Sequence, residues 1–176
     1  MKYLKGGLGS EYIRSLRPGD QFKATAPYGD FVYRTPEEGR AVCFVVTSTG
    51  IGPIRSMLFS DEYRENLPLK TTLIAGFRTS PEILYPVDFD DLPAFDHKIC
   101  LSQSPTKSAR EFKGRVTDYL RTLPHDWLWH STDFYLCGNN EMIAEVRQIL
   151  MGGHGVKETA IFNEIFFAKR ANSQAA

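Results

Sequence analysis

Two glycine turns hold the residues best suited to chemistry. The first is Thr47-Ser48-Thr49-Gly50-Ile51-Gly52-Pro53, set between an apolar run and a helical pattern. Small residues let a backbone come close to a ligand. A helix start behind them offers free N–H groups and a positive dipole end to an anion. That chemistry suits a diphosphate, with Arg55 and Ser56 adding contacts from the helix's first turn. A tight strand-to-helix turn that needs glycine only for its geometry accounts for the same residues. The spacing is neither Gly-x-Gly-x-x-Gly nor a Walker loop. The second turn is Cys137-Gly138-Asn139-Asn140-Glu141-Met142, with Cys137 ending an apolar run. A nucleophilic thiol needs a base and a lowered pKa. His97, His125, His130 and His154 are scattered along the chain, and none is placed to serve. Cys137 therefore reads as a small polarizable wall for a flat ring.

Two further positions lie just past apolar runs. Arg78 follows Gly76-Phe77, where it would lie over a nucleotide, pair with a carboxylate or stay solvated. Ser102-Gln103-Ser104, with Lys107 and Arg110 nearby, suits an adenosine ribose or its 2′-phosphate, or simply a polar loop.

These turns must be positioned by a sheet. Residues 41–46, Ala-Val-Cys-Phe-Val-Val, form a continuous apolar run of strand length, as expected for a strand buried on both faces. Residues 71–77, 97–102, 133–137 and 159–162 repeat the texture. Between them lie helical patterns: Ile54, Met57, Leu58 and Tyr63; Val116 to Leu120; and Met142, Ile143, Val146, Ile149 and Leu150 behind a cap at Asn140. Pro53 suits the first helical position. Strands alternating with helices predict an α/β fold with a doubly wound parallel sheet. In such sheets ligands bind beyond the carboxyl ends of the strands, where all four candidate places fall. Residues 1–36 have a different texture. Residues 1–5 read as a strand, residues 10–16 as a short helix capped by Ser10, and residues 21–26 as another strand. Turns at Arg17-Pro18-Gly19-Asp20 and Pro27-Tyr28-Gly29-Asp30 punctuate them.

Composition narrows the classes. Apolar residues are 42% and charged residues 24%, enough for a core without metal or disulfides. The formal net charge is 0, which argues against broad nucleic-acid binding. Cys43, Cys100 and Cys137 match no metal or paired redox spacing. An odd count without a signal peptide suits a cytoplasmic protein. No apolar run approaches the ~18 residues of a membrane span.

Taken together, the turns resemble those of the ferredoxin–NADP reductase superfamily. Residues 47–56 resemble its diphosphate loop and helix start, and residues 135–142 its Cys-Gly-x-x-x-Met signature. Asn163-Glu164-Ile165-Phe166 resembles its terminal acidic-x-aromatic segment. Residues 6–13 resemble its flavin diphosphate segment, and residues 17–20 and 27–31 the end of its flavin-binding barrel. The resemblance implies three parts: residues 1–36 as the remnant of an antiparallel flavin-binding β-barrel, residues 37–168 as an NAD(P)-binding domain, and residues 169–176 as a frayed tail. It also assigns roles. Gly9 and Ser10 would touch the diphosphate of FAD. Thr47, Thr49, Gly50, Ile51, Gly52 and Pro53 would line the nicotinamide and its diphosphate, with Arg55, Arg78, Ser102, Gly138 and Met142 around them. Cys137 would pack beside the nicotinamide ring, Glu164 would orient its carboxamide or assist proton movement, and Phe166 would stack near the flavin. The implied reaction is hydride transfer between NADH or NADPH and a flavin, followed by electron release to a separate protein or domain. Residues 112–117 resemble a pattern of NADH-using reductases, which tilts the expectation to NADH.

The resemblance has a gap. The family's Arg-x-Tyr-Ser flavin segment has no match here, so the flavin site would be incomplete. The expectation is a truncated longer protein. A start at an internal methionine is one alternative, and a subunit completed by a partner is another. A non-catalytic subunit that keeps the fold without holding flavin, or an unrelated Rossmann-like enzyme, would also carry such a sheet.

Overall fold

The computed structural model describes residues 3, 5–25 and 29–167, with Phe166 and Phe167 described by their backbone alone. The chain divides into two compact units, Met1–Asp30 and Phe31–Ala176. The division falls six residues before the expected one after Pro36. Residues 31–36 belong with the sheet because Tyr33 is buried in its core. The Arg34 N–H also donates to the Tyr135 hydroxyl at 3.0 Å.

In the first unit, helix α1 spans Leu8–Ser15. It starts earlier than expected, with Gly7 at its N-cap and no side-chain cap, so Ser10 lies inside the first turn. Glu11, beside Ser10, ties the helix to the residues before it. Its carboxylate takes the Gly6 N–H at 3.3 Å and the Tyr3 hydroxyl at 2.5 Å. These bonds, the hydroxyl first, hold the Glu11 carboxyl below the usual carboxylate range. Pro18 stops the helix by forcing extended backbone at the residues before it. The strand expected at residues 21–26 is not formed over residues 21–25, and Ala26 lies outside the described residues. No described residue of this unit is in a strand. A strand persists only with a neighbour to pair with, and no such pairing is present among the described residues of this unit. Met1, Lys2 and Leu4 also lie outside the described residues.

In the second unit, strand β1 spans Ala41–Thr47, followed by helices α2 at Ile51–Leu58 and α3 at Asp61–Glu65. Strand β2 spans Thr71–Phe77, β3 Phe95–Leu101 and β4 Glu111–Lys113. Helix α4 spans Val116–Thr122, β5 Thr132–Asn139, α5 Asn140–Arg147 and β6 Ile161–Phe167. Among the described residues the strands form one six-stranded sheet in the order β4-β3-β2-β1-β5-β6. Every pairing is parallel. The expected doubly wound parallel sheet is therefore present.

Burial on both faces explains the apolar runs. From β1, Val42, Phe44 and Val46 pack with Ile51, Ile54, Met57 and Leu58 of α2. Cys43 and Val45 pack with Val116 and Leu120 of α4 and with Ile143 and Val146 of α5 on the opposite face. Each large side chain so buried contributes about 1.5–3 kcal/mol. Cys43 and Cys100 are buried thiols, and burial pushes their ionisation upward.

Three local details differ from the sequence expectation. The pattern from Ile54 to Tyr63 is two helices, because the Ser60 hydroxyl accepts the Tyr63 N–H at 3.2 Å and starts α3. The cap of α5 is Asn139, not Asn140: its side chain accepts the Met142 N–H at 2.8 Å. β4 was not anticipated. Residues 168–176, including the expected tail, lie outside the described residues.

Helix α5 runs into a π turn at Gln148–Gly153 that ends at His154. The His154 ring lies on Trp129 with centroids 3.7 Å apart, and its Nδ1 has no hydrogen-bond partner. Burial, then His125 and His130, push its pKa below the ordinary 6.5. Burial, then Arg110, do the same to His97. Below pH 6.5 the unfolded chain therefore takes up protons that the folded chain refuses. Stability from the neutral rings is complete above that pH and is lost as pH falls through the lower folded values. Thermal midpoints are expected to fall between about pH 7.5 and about pH 5.5, and His154→Gln is expected to flatten the drop. An unchanged slope in the variant would remove His154 from this account.

Candidate functional site at the carboxyl edge

The strand order places a reversal beside β1. From β1 the chain winds outward through β2, β3 and β4, then returns to the other side of β1 for β5 and β6. The crevice at such a reversal is where open parallel sheets bind ligands. The two glycine turns of the sequence meet there.

Their contact is close. A Cβ built on Gly50 would lie 2.4 Å from the Cys137 carbonyl oxygen and 3.4 Å from its Sγ. A Cβ on Gly138 would lie 2.2 Å from the Thr47 Oγ1 and 2.7 Å from the Met142 Cε. A Cβ on Gly76, at the end of β2, would meet the Thr47 Cγ2 at 3.2 Å and the Val116 Cγ1 at 2.9 Å. Three strand ends therefore converge only because three residues lack side chains. Gly52 differs, since nothing lies within 4 Å of its would-be Cβ. Protein packing does not demand that glycine. Ser48 holds a left-handed backbone at φ 54° and begins a 3-10 turn, Ser48–Gly50, that leads directly into α2. Thr49 lies in that turn. Ile51 is buried as the first residue of α2, and Pro53 stands two residues further, still in the first turn where its missing N–H breaks no helical bond.

Cys137 is fully buried and faces Gly50. Burial first, and the Glu164 charge second, push its thiol up to about 12, so it stays protonated. Glu164 sits opposite Cys137 in the β5–β6 register and is exposed. The next pairs are Gly138 with Ile165 and Asn139 with Phe167, so the register shifts at Phe166, whose side chain lies outside the described residues. Met142 is buried behind Gly138. The structure thus brings together Thr47, Thr49, Gly50, Cys137, Gly138, Met142 and Glu164.

Arg78 and Ser102 stand side by side further along the edge. The β2–β3 ladder continues past both strands, from the Ser102 N–H to the Phe77 carbonyl at 3.1 Å and from the Gln103 N–H to the Arg78 carbonyl at 2.8 Å. Among the described residues the Arg78 guanidinium forms no ion pair, while its own N–H donates to Glu82 at 3.2 Å. The Lys113 ammonium donates to the Ser104 carbonyl at 3.2 Å, bringing a second cation to this turn. Arg110 is turned away, paired with Asp90. Arg55, offered by the sequence as a phosphate contact, is bonded to Asp88 at 2.6 Å. Gly9 and Ser10 lie in the first unit, in the first turn of α1.

Sequence reasoning missed Gly76 and Asn139, both of which shape this corner. A glycine ending a buried strand and an asparagine preceding a helix were the available signals. Among the described residues no cluster of three or more His, Cys, Asp or Glu side chains could hold a metal, and no helix is long and apolar enough to cross a membrane.

The oxidoreductase NAD-binding domain family matches residues 44–148, more than half of the chain, from within β1 through α5. Ferredoxin–NADP reductase B of Sorangium cellulosum is 31% identical over 87% of this chain and 65% of its own length. A component of the Na(+)-translocating NADH-quinone reductase of Neisseria meningitidis is 30% identical over 80% of this chain and 36% of its own. This chain therefore spans less than two thirds of either relative. The solved structure of the Amycolatopsis cytochrome P450 reductase GcoB superposes with a TM-score of 0.78 at 22% identity, over 94% of this chain and 50% of that one, and shares the fold. The chain belongs to the oxidoreductase NAD-binding domain family, within the ferredoxin–NADP reductase-like superfamily.

Proposed function

We propose that this chain binds a nicotinamide dinucleotide across the carboxyl edge of its sheet and serves hydride transfer between that dinucleotide and a flavin. The observation that carries this reading is the Gly50–Cys137 contact, with Gly52 open beside it. The donors fit the ligand. The first-turn N–H groups of α2 and the hydroxyls of Thr47 and Thr49 suit a diphosphate. The buried, neutral Cys137 thiol and Gly138 close the floor behind the partly exposed Thr47 and Thr49, where the nicotinamide ring would lie, and Glu164 presents an acceptor for its carboxamide. Arg78 and Ser102 suit the adenosine end. NADH is the preferred form on the pattern of residues 112–117.

The first unit fits part of a flavin site. The Gly6 N–H and Tyr3 hydroxyl are taken up by the Glu11 carboxylate, so a diphosphate here would draw on the N–H groups at the start of α1. Gly9 has open space around its Cα. Gly9 and Ser10 would hold the diphosphate of FAD, and segments beyond this chain, or a partner, would supply the rest. A bound flavin would supply hydride acceptance and single-electron release toward an acceptor protein or domain. The chain's own work is to bind the dinucleotide and fix its ring at the corner built over the buried, neutral Cys137 thiol. Three reduced, buried cysteines suit a cytoplasmic setting.

Calorimetric titration with NADH and NADPH tests the reading. NADH is expected to bind, and more tightly than NADPH. Arg78→Gln is expected to weaken NADH binding roughly tenfold, the scale of one hydrogen bond from a cation to the adenosine ribose. No binding of either dinucleotide at millimolar concentration would refute the reading.

A further inference from the structure

Arg55 stands one turn into α2, the helix whose start faces the proposed diphosphate, yet its guanidinium is already engaged. Its Nε donates to Asp88 at 2.6 Å, and its Cζ lies 5.0 Å from the ring centres of both Phe59 and Tyr85. Asp88 and Tyr85 belong to the long segment between β2 and β3, which contains no helix of more than three residues. Connections of that length are uncommon in compact domains unless they have a function. This one is pinned at three places: Arg55 holds Asp88, Phe89 enters the core, and Arg110 pairs with Asp90. Tyr85 also keeps a left-handed backbone at φ 56°, which a bulky side chain rarely adopts unless its surroundings impose it.

The segment begins at Arg78 and ends at the start of β3, whose far end leads to Ser102. It therefore connects the adenosine side of the edge to the outer flank of α2. We infer that Arg55 is a positioning residue rather than a phosphate ligand. Its clamp on Asp88 and Tyr85 fixes residues 83–92 to α2, so that the helix start and Arg78 are held at a set separation before the dinucleotide arrives. This inference rests on the nucleotide-binding reading. It assigns Asp88, a carboxylate that repels phosphate, a favourable role in binding one.

That role separates the two possibilities. For a phosphate ligand, Asp88 is a competitor, and removing its charge frees Arg55. For a clamp, Asp88 is the other jaw. The test is calorimetric titration of NADH into the full chain and into Asp88→Asn, Arg55→Gln and the double variant, with near-ultraviolet circular dichroism to confirm packing. The clamp requires Asp88→Asn and Arg55→Gln each to weaken binding about tenfold, with the double variant little worse than either single one, because both changes break the same contact. Asp88→Asn binding as wild type or tighter, while Arg55→Gln weakens, would overturn the inference in favour of a direct phosphate contact. Wild-type affinity in all variants would overturn it as well. If Arg55→Gln fails to fold, Asp88→Asn, in an irregular segment and half-buried, decides alone. A wild-type chain that binds no dinucleotide would refute the nucleotide-binding reading itself, an outcome distinct from all of these.

Discussion

Gly50→Ala is expected to destabilise the second unit by about 3 kcal/mol, lowering its thermal midpoint by roughly 10 °C. The new methyl group would lie 2.4 Å from the Cys137 carbonyl oxygen and 2.9 Å from its carbonyl carbon. Both are backbone atoms in the middle of a paired strand, with β1 on one side and β6 on the other. Neither can turn aside as a side chain would. Relief requires β1's turn to lift away from β5, which opens the crevice and exposes Cys137. Gly52→Ala is the control, two residues further along the same turn. Nothing lies near its would-be Cβ, and alanine suits a helix better than glycine. Stability is expected to stay level or rise slightly, while dinucleotide affinity falls because the methyl group stands where the phosphate would come. Thermal melts of both variants check the contrast. Equal stability for Gly50→Ala and wild type would mean that the corner has slack enough to take a methyl group.

Gly138→Ala shows the opposite balance. Its would-be Cβ lies 2.2 Å from the Thr47 Oγ1, followed by 2.7 Å to the Met142 Cε. Both neighbours are side-chain atoms that can move by rotation. The stability loss is therefore expected to stay near ~1 kcal/mol. The functional loss is expected to be larger. Thr47 would have to swing its hydroxyl out of the strand end and into the ligand edge. Dinucleotide affinity is expected to fall by about tenfold or more, since the displaced group both blocks the diphosphate and withdraws a donor from it. Thr47→Val alone, which keeps the shape and removes the hydroxyl, distinguishes crowding from donor loss: affinity stays near wild type if crowding alone lowers it in Gly138→Ala, and falls alike if the lost donor does. Wild-type affinity in Gly138→Ala would show that Thr47 has no part in binding.

The strands of the sheet were legible because burial on both faces leaves no room for polar alternation. Residues 41–46 and 71–77 are apolar runs for that reason, and strands occupy them. The corner was legible because glycine is conspicuous where backbones must touch, at Gly50 and Gly138 alike. β4 was not, because an edge strand of three residues with only Phe112 apolar carries no run. The split between α2 and α3 was hidden because Met57, Leu58 and Tyr63 keep a helical spacing across the break, and only Ser60 marks it. The strand expected at residues 21–26 failed for a different reason. Pairing is a property of two segments, and one segment's alternation cannot supply the other. Arg55 is the clearest case of this kind. A guanidinium beside a glycine turn suits a phosphate, but its partner lies 33 residues away in an irregular segment. Nothing in the local sequence distinguishes that carboxylate from an anionic ligand.

The central claim is that the corner made by Gly50, Cys137 and Glu164 receives the nicotinamide end of a dinucleotide. Titrating NADH into isotopically labelled chain while following backbone amide resonances tests it most directly. The expected result is perturbation confined to the carboxyl edge, largest at Thr49, Gly50, Gly52 and Gly138, with smaller shifts at Arg78 and Ser102. Amides at the opposite end of the sheet, at Arg40 and His154, would stay unmoved. Shifts centred on those opposite residues, or NADH binding that leaves Gly50 and Gly138 unperturbed, would contradict the claim.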